Sequence, residues 1–350
     1  LVDNQTFRFF DVELSLTGES DSVLAALHRS FGAFHCAEPD QNVRRLEAEL
    51  IFEDVLPGAF SVHFDDGSVW RLPPLRPDEL AGLLVRHSLA QVCSHFLLHA
   101  GALGWRDRAV LLVGNSGAGK TTLTLALEER GFTFLSDETG ALARADGVVH
   151  PFPRPPRVQD GIEAKAAPDR LPGWMPPVGH PFPLGHLFFL GDRAKLATET
   201  KQIVVLCDRL DPSLLPTLQS TFGLRDLHAT VCQGLPAFAY SPLAGLPDFS
   251  KIENLCFSRG SQVLDVVKST PASTFGERPR CQPIPTSEAT LHALGHLQNG
   301  YRSRLFRTVY AGKPAALYTG LASTLGRVQC HWLQPGHLEE TVNLICAAID

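Results

Sequence analysis

Residues 111–122 read Leu-Leu-Val-Gly-Asn-Ser-Gly-Ala-Gly-Lys-Thr-Thr, and the pattern Gly-x-x-x-x-Gly-Lys-Thr runs from Gly114 to Thr121. Gly114, Gly117 and Gly119, with the small Asn115, Ser116 and Ala118 between them, let backbone N–H groups converge on phosphate oxygens. Lys120 places a compact positive charge at the terminal phosphates, and the hydroxyl of Thr121, followed by Thr122, stands where Mg²⁺ would bind. The chemistry implied is binding of ATP with Mg²⁺. The competing pattern Gly-x-Ser-x-Gly, which would make Ser116 a nucleophile, fails because Ala118 stands where its second glycine belongs.

A short interval downstream comes Ser136-Asp137-Glu138. One carboxylate of such a pair can hold Mg²⁺, directly or through water, and the other can accept the proton of an attacking hydroxyl. His99 is the third candidate, as an active-site group or as a hydrogen-bonded core histidine. His95 and His99 are four residues apart, as are His292 and His296, but a zinc site needs a third ligand and none stands nearby.

Local elements place these groups. Residues 109–113 form an apolar run expected as a buried strand, and residues 121–130 carry Leu123, Leu125, Ala126 and Leu127 in a helix that Gly131 stops. The loop therefore lies at a helix N-terminus, where unpaired N–H groups and the positive end of the helix dipole face a ligand. Residues 132–135 make a further strand. If that strand runs parallel to the first, a right-handed crossover brings Asp137 and Glu138 to the same sheet edge as the loop. Residues 97–105 and 110–114, separated by Arg106-Asp107-Arg108 and Ala109, predict a hairpin that sets His99 opposite the residues near Asn115. Ahead of it, Pro77-Asp78-Glu79 opens a helix with an apolar stripe of Val85, Leu89, Val92 and Phe96.

Residues 1–76 read as a small α+β unit, with strands over 6–16 and 43–55, a helix over 21–31 and a hairpin turning at Asp65-Asp66-Gly67. Residues 77–350 read as the nucleotide-binding and catalytic domain, interrupted by a proline-rich connection or lid at 151–185. Beyond it, strands are expected at 186–190, 203–206 and 327–333. Helices are expected at 212–218, 287–299, 302–310 and 338–349, the last with Leu338, Val342, Ile345 and Ile349 at helical spacing. The net charge of −6 in 350 residues gives no electrostatic footprint for nucleic acid or for an anionic membrane. No apolar run reaches the ~18 residues of a spanning helix. Eight cysteines without C-x-x-C spacing read as reduced structural thiols, so the expected setting is cytoplasmic. The chain starts at Leu1 and not at Met, which leaves room for native residues ahead of it.

The ordered set of His99-Ala100-Gly101, residues 114–122, Arg130-Gly131 and Leu135-Ser136-Asp137-Glu138 resembles the catalytic domain of HPr kinase/phosphorylase. It resembles more closely the HPr kinase-related proteins, some of which accompany peptide-modifying gene clusters. The resemblance covers about residues 96–157, and the short interval from Lys120 to Asp137 is its distinctive part. It implies an α/β fold with a P-loop core like that of HPr kinase and PEP carboxykinase, a small N-terminal α+β unit and a C-terminal α/β extension. By resemblance, His99 lies near the terminal phosphate, Lys120 binds phosphate, Thr121 ligates Mg²⁺, and the acidic pair supplies base and metal ligand. The expected base is Asp137, with Glu138 on the metal side. HPr kinase has two aspartates where this chain has Asp-Glu, and the segment that serves its dephosphorylation is missing, which argues against phosphorylase activity and against HPr as substrate. Arg154 and Arg157, in a Pro- and Arg-containing segment like that of the related proteins, reach phosphates or an acidic substrate group, or are ordinary surface arginines.

The activity implied is an ATP- and Mg²⁺-dependent kinase acting on a serine or threonine hydroxyl of a peptide or protein, for example a precursor peptide of a natural-product pathway such as that of a lasso peptide. Two alternatives keep the nucleotide: a nucleotide-sensing binding module without transfer, and a small-molecule kinase acting on free serine, with a PEP carboxykinase-like enzyme beside it. A homo-oligomer is compatible with each.

Overall fold

The computed structural model describes residues 5–18, 21–38, 40–52, 59–155, 177–191, 202–241, 249–269, 278–300 and 303–350. Among the described residues the architecture is mixed α/β with three sheets. The chain forms two compact units, each discontinuous in sequence: Leu1–Ser88 with Glu199–Pro271, and Leu89–Thr198 with Ala272–Asp350. The sequence pattern alone places a division after residue 76. The contacts divide it after Ser88 and group a later segment with the first.

In the first unit, strands β1 (Gln5–Phe9), β2 (Val12–Gly18), β3 (His35–Cys36), β4 (Arg44–Phe52), β5 (Phe60–Phe64) and β6 (Val69–Leu72) make a six-stranded sheet in the order β3-β1-β2-β4-β5-β6. The single strand expected over 6–16 is a hairpin, turned at Phe10 in the left-handed region (φ 59°). Helix α1 (Asp21–Phe31) buries Val23, Ala26, Leu27 and Phe31. The second helix, α2 (Pro77–Gln91), includes Val85 and Leu89 of the expected stripe and ends before Val92. Phe96 belongs to the next strand, because residues from His95 onward find sheet partners and the backbone extends to meet them.

The second unit begins with β7 (His95–Trp105) and β8 (Arg108–Val113), an antiparallel hairpin pairing Ala100 with Val113. Helix α3 (Lys120–Glu128) follows, then β9 (Thr133–Ser136), β10 (Thr139–Ala143), β11 (Val148–His150) and β12 (Phe182–Leu190). Both β8 and β9 run antiparallel to β7, so they are parallel to each other with β7 between them. The polypeptide then returns to the first unit as a four-stranded sheet, ordered β14-β15-β13-β16, of β13 (Gln202–Cys207), β14 (Arg225–Cys232), β15 (Leu235–Ser241) and β16 (Val263–Ser269), with helices α4 (Leu214–Phe222) and α5 (Phe249–Ser258). Leu214, Leu218, Ile252 and Cys256 pack with Val205, Phe238 and Tyr240 in its core.

Strand β17 (Arg280–Pro283), helices α6 (Thr286–Gly295) and α7 (Pro314–Leu325), strand β18 (Gln329–Gln334) and helix α8 (Leu338–Ile349) complete the second unit. Its main sheet runs β11-β10-β7-β8-β12-β18-β17, with β9 also paired to β7 and the β8, β12 and β18 strands mutually parallel. A helix is expected over residues 302–310, and among its described residues 303–310 the chain holds a π-type turn at Leu305–Val309. One sheet face buries Phe96, Leu98, Ala100, Leu111 and Phe189 with Ala289 and Ala293 of α6 and Leu317, Leu321 and Leu325 of α7. The other buries Leu103, Val110, Leu112 and Phe188 with Leu123 and Leu127 of α3 and Val342 and Ile345 of α8. The sheet is thus the middle of three layers, and β7, whose alternate residues face opposite layers, lies near its centre.

Candidate functional site

Both edges of β7 change partner at His99 and Ala100. On one edge, β8 covers Ala100–Trp105 and ends at Val113, and the Gly114 N–H reaches back to the His99 carbonyl at 3.5 Å. Beyond that point the same edge is taken over by residues 296–299. The His99 N–H donates to the His296 carbonyl (2.9 Å) and the Gln298 N–H to the Leu97 carbonyl (2.7 Å). On the opposite edge β9 pairs with Ala102–Gly104 and β10 with His95–His99. Asp137 and Glu138 form the break between β9 and β10, and the Ala100 N–H donates to the Glu138 carbonyl at 3.0 Å. The carboxyl ends of β8 and β9 meet at this change of partners, and in open α/β sheets ligands usually bind outside such strand ends.

The loop leaving β8 turns at Gly117 (φ 79°) and Gly119 (φ 86°), and Gly119 is the N-cap of α3. A side chain at Gly119 would be strained in that left-handed conformation. Ser116 and Gly117 are exposed, Asn115, Thr121 and Thr122 are half-buried, and Ala118 is buried. Buried Lys120 folds back over the loop, its Nζ donating to the carbonyls of Gly114 (2.8 Å) and Asn115 (2.9 Å). An ammonium has three donors, so one remains for a ligand. Burial pushes the Lys120 ammonium down to about 8, opposed by the nearby Glu138 and Asp137 carboxylates.

The Thr121 hydroxyl donates to Asp137 Oδ2 at 3.4 Å. Asp137 is buried, and its Oδ1 has no hydrogen-bond partner. Burial raises its carboxyl to about 6, against the pull of Arg154 and with a push from Glu138. The Ser136 hydroxyl fixes the turn by accepting the N–H groups of Glu138 (3.3 Å) and Thr139 (3.0 Å). Glu138 is ion-paired to Arg154, whose side chain is largely buried. Arg154 is carried there because the chain after β11 stays against β9, the Phe152 N–H donating to the Leu135 carbonyl at 3.0 Å. Burial, with the charges of Lys120 and Arg154, lowers His99 to about 4 against the opposing pull of Glu138, so its imidazole is neutral at pH 7.

The structure therefore brings together His99, Lys120, Thr121, Asp137, Glu138 and Arg154 from four separate stretches of chain. The expected hairpin sets His99 beside the loop, and the expected strand end sets the acids beside Lys120. Arg157 lies outside the described residues, as does most of the segment expected as a connection or lid at 151–185.

Three contributors were not found from sequence. Gln298 accepts a hydrogen bond from the Thr139 hydroxyl (3.1 Å) and donates to the Glu138 carbonyl (3.4 Å). Fully buried Asn299 accepts from the Leu97 N–H (2.9 Å) and donates to the carbonyls of Val92 (3.2 Å) and His95 (2.8 Å), locking its segment onto β7. Gly101 lets α3 close on the sheet, because a Cβ there would stand 2.2 Å from Thr124 Oγ1. Only Gly101 carried a sequence signal, through its place in the His99-Ala100-Gly101 run.

The donor set fits a hard divalent cation. A buried carboxylate oxygen without a partner, beside a threonine hydroxyl in the first turn of α3, offers the oxygen ligands that Mg²⁺ takes, one or two from protein and the rest from phosphate and water. Among the described residues no cluster of three or more His, Cys, Asp or Glu side chains could hold a metal by themselves. The eight cysteines stand as thiols, and among the described residues no helix is long and apolar enough to cross a membrane. The chain matches no protein-family model and no curated protein.

Proposed function

We propose that the second unit is an ATP- and Mg²⁺-dependent phosphotransferase that moves the terminal phosphate to a serine or threonine hydroxyl of a peptide or protein. The observation that carries the reading is the bond from Thr121 to Asp137, made beside a lysine-capped glycine loop at a helix N-terminus. The resemblance of the same residues to HPr kinase-related proteins adds the reaction class.

In this reading the N–H groups of the 114–119 loop and the free donor of Lys120 hold the terminal phosphates. Mg²⁺ bound by Thr121 and Asp137 would neutralise charge on the phosphates. The contact with Thr121 favours Asp137 for the metal side and leaves Glu138, half-exposed and held by Arg154, to face the acceptor, the reverse of the order assigned from sequence. Glu138 then takes the proton of the hydroxyl, while the ion pair with Arg154 holds its carboxylate in place. His99, neutral and beside Lys120, offers a hydrogen bond to the terminal phosphate without adding charge.

The test is phosphate transfer from labelled ATP, with Mg²⁺, to an arrayed library of serine- and threonine-containing peptides and to free serine. Label on peptides that depends on Lys120 supports the reading. Label on free serine alone replaces the acceptor class, and tight ATP binding with no transfer leaves the nucleotide-sensing module.

A further inference from the structure

The Gln298 side chain crosses β7 without being buried. Its backbone lies on the β8 edge of β7, where its N–H meets Leu97, while its side chain reaches Thr139 and the Glu138 carbonyl on the other edge. Thr139 is directly opposite His99 in the ladder, so the two side chains point to the same sheet face. That face is the one α3 covers, since Gly101, two residues along β7, lies beneath Thr124. Gln298 is therefore tied to the sheet face that carries His99, and to the main chain of Glu138.

An exposed glutamine gives up rotamer freedom when it is pinned at both ends of its amide, and such ordering is seldom worthwhile on a solvated surface. Pinned as it is, the amide keeps one unused N–H on Nε2 and one unused lone pair on Oε1. A donor and an acceptor side by side in one plane match the N–H and C=O of a peptide main chain. A free amino acid has no peptide N–H beside its hydroxyl-bearing carbon to offer in return.

Resting on the phosphotransferase reading above, we propose that Gln298 is an acceptor-binding residue that pairs with the main chain of a peptide next to the hydroxyl presented to Glu138. The acceptor is then a peptide or an extended protein segment, selected partly by its backbone.

The experiment is a cycle between protein and substrate. A serine peptide that wild-type protein phosphorylates is compared with the same peptide N-methylated, in turn, at each amide flanking the serine, on wild type and on Gln298→Ala. Loss of one hydrogen bond predicts that methylation at one of these positions lowers wild-type kcat/KM about tenfold, mainly through KM. Gln298→Ala should raise KM for the unmodified peptide by a similar factor and show no further loss on methylation. Equal methylation penalties in both proteins overturn the proposal and leave Gln298 as a tie between two sheet edges. Absence of transfer to any peptide by wild type overturns the kinase reading itself, so the two failures are distinct.

Discussion

The Thr121 hydroxyl donates to Asp137 Oδ2 at 3.4 Å, joining the first turn of α3 to the break between β9 and β10. Through this contact the glycine loop and the acidic pair, which leave β7 from opposite edges, meet above its centre. The two carboxylates sit in the turn between β9 and β10 that Ser136 fixes, one facing Thr121 and the other Arg154.

The acidic pair should accordingly separate by metal dependence. Asp137→Asn removes the charge beside Thr121 and should raise the Mg²⁺ concentration needed for half-maximal transfer, with partial recovery at high metal. Glu138→Gln removes the proton acceptor and should lower the transfer rate roughly 10²–10⁴-fold at any Mg²⁺ concentration. The opposite assignment of phenotypes restores the order read from sequence. Wild-type transfer by both variants at limiting Mg²⁺ removes the mechanism.

Lys120→Ala should weaken ATP binding about 10- to 100-fold, the range for a hydrogen bond to a charged group. It also leaves the Gly114 and Asn115 carbonyls without their ammonium donor. Lys120→Arg is not a rescue, because a planar guanidinium cannot fold into the space that a compact ammonium occupies. Calorimetric titration with ATP and Mg²⁺ measures both variants, and unchanged affinity in Lys120→Ala contradicts the assignment of the loop.

The loop, its strand and helix, the hairpin and the acidic pair were legible in sequence because each rests on neighbours within a few residues: glycines at fixed offsets, an apolar run, a stop at Gly131. Gln298 and Asn299 were not. Their partners at Leu97 and Thr139 are separated from them by 202 and 159 residues, and no local pattern marks a polar residue that bonds a strand so distant in sequence. The grouping of β13–β16 with the N-terminal segment was hidden for the same reason, since those strands have ordinary strand patterns whichever unit they join. Helix α7 is a different kind of miss. Leu317, Leu321 and Leu325 are spaced for one buried stripe, but Gly320 and the Ser and Thr positions dilute the pattern, and the sequence reading assigns nothing there.

Gly101 should be intolerant of a side chain for a reason that a second substitution can remove. A Cβ at 2.2 Å from Thr124 Oγ1 forces α3 away from β7 and should cost about 1–3 kcal/mol, as overpacked cores do. The nearest remaining atom, Thr124 Cβ, is at 3.6 Å, an ordinary contact. Thr124 Oγ1 is buried without a hydrogen-bond partner, so Thr124→Ala alone should be neutral or stabilising. In that background Gly101→Ala should lose most of its cost. Denaturant midpoints of the four proteins give the coupling, and an equal cost in both backgrounds contradicts this account of the glycine.

His99 should make the fold sensitive to acid. Its folded value of about 4 lies below the ordinary 6.5, because burial and the charges of Lys120 and Arg154 disfavour the imidazolium. Between those values the unfolded chain binds a proton that the folded chain refuses, so stability falls as pH drops from about 6.5 to 4, by about 3 kcal/mol once the window is crossed. Asp137 acts oppositely: with its carboxyl raised to about 6, the folded state holds a proton that the unfolded state releases, so its contribution falls as pH rises from about 4 to 6. In wild type the two trends oppose each other, and removing one exposes the other. His99→Gln should therefore gain stability relative to wild type as pH falls from 7 to 4, while Asp137→Asn should gain relative to wild type as pH rises from 4 to 7. Urea unfolding of the three proteins at half-unit pH steps reads both slopes. A His99→Gln difference that does not change with pH would mean that the imidazole titrates normally, outside the buried and positively charged setting beside Lys120.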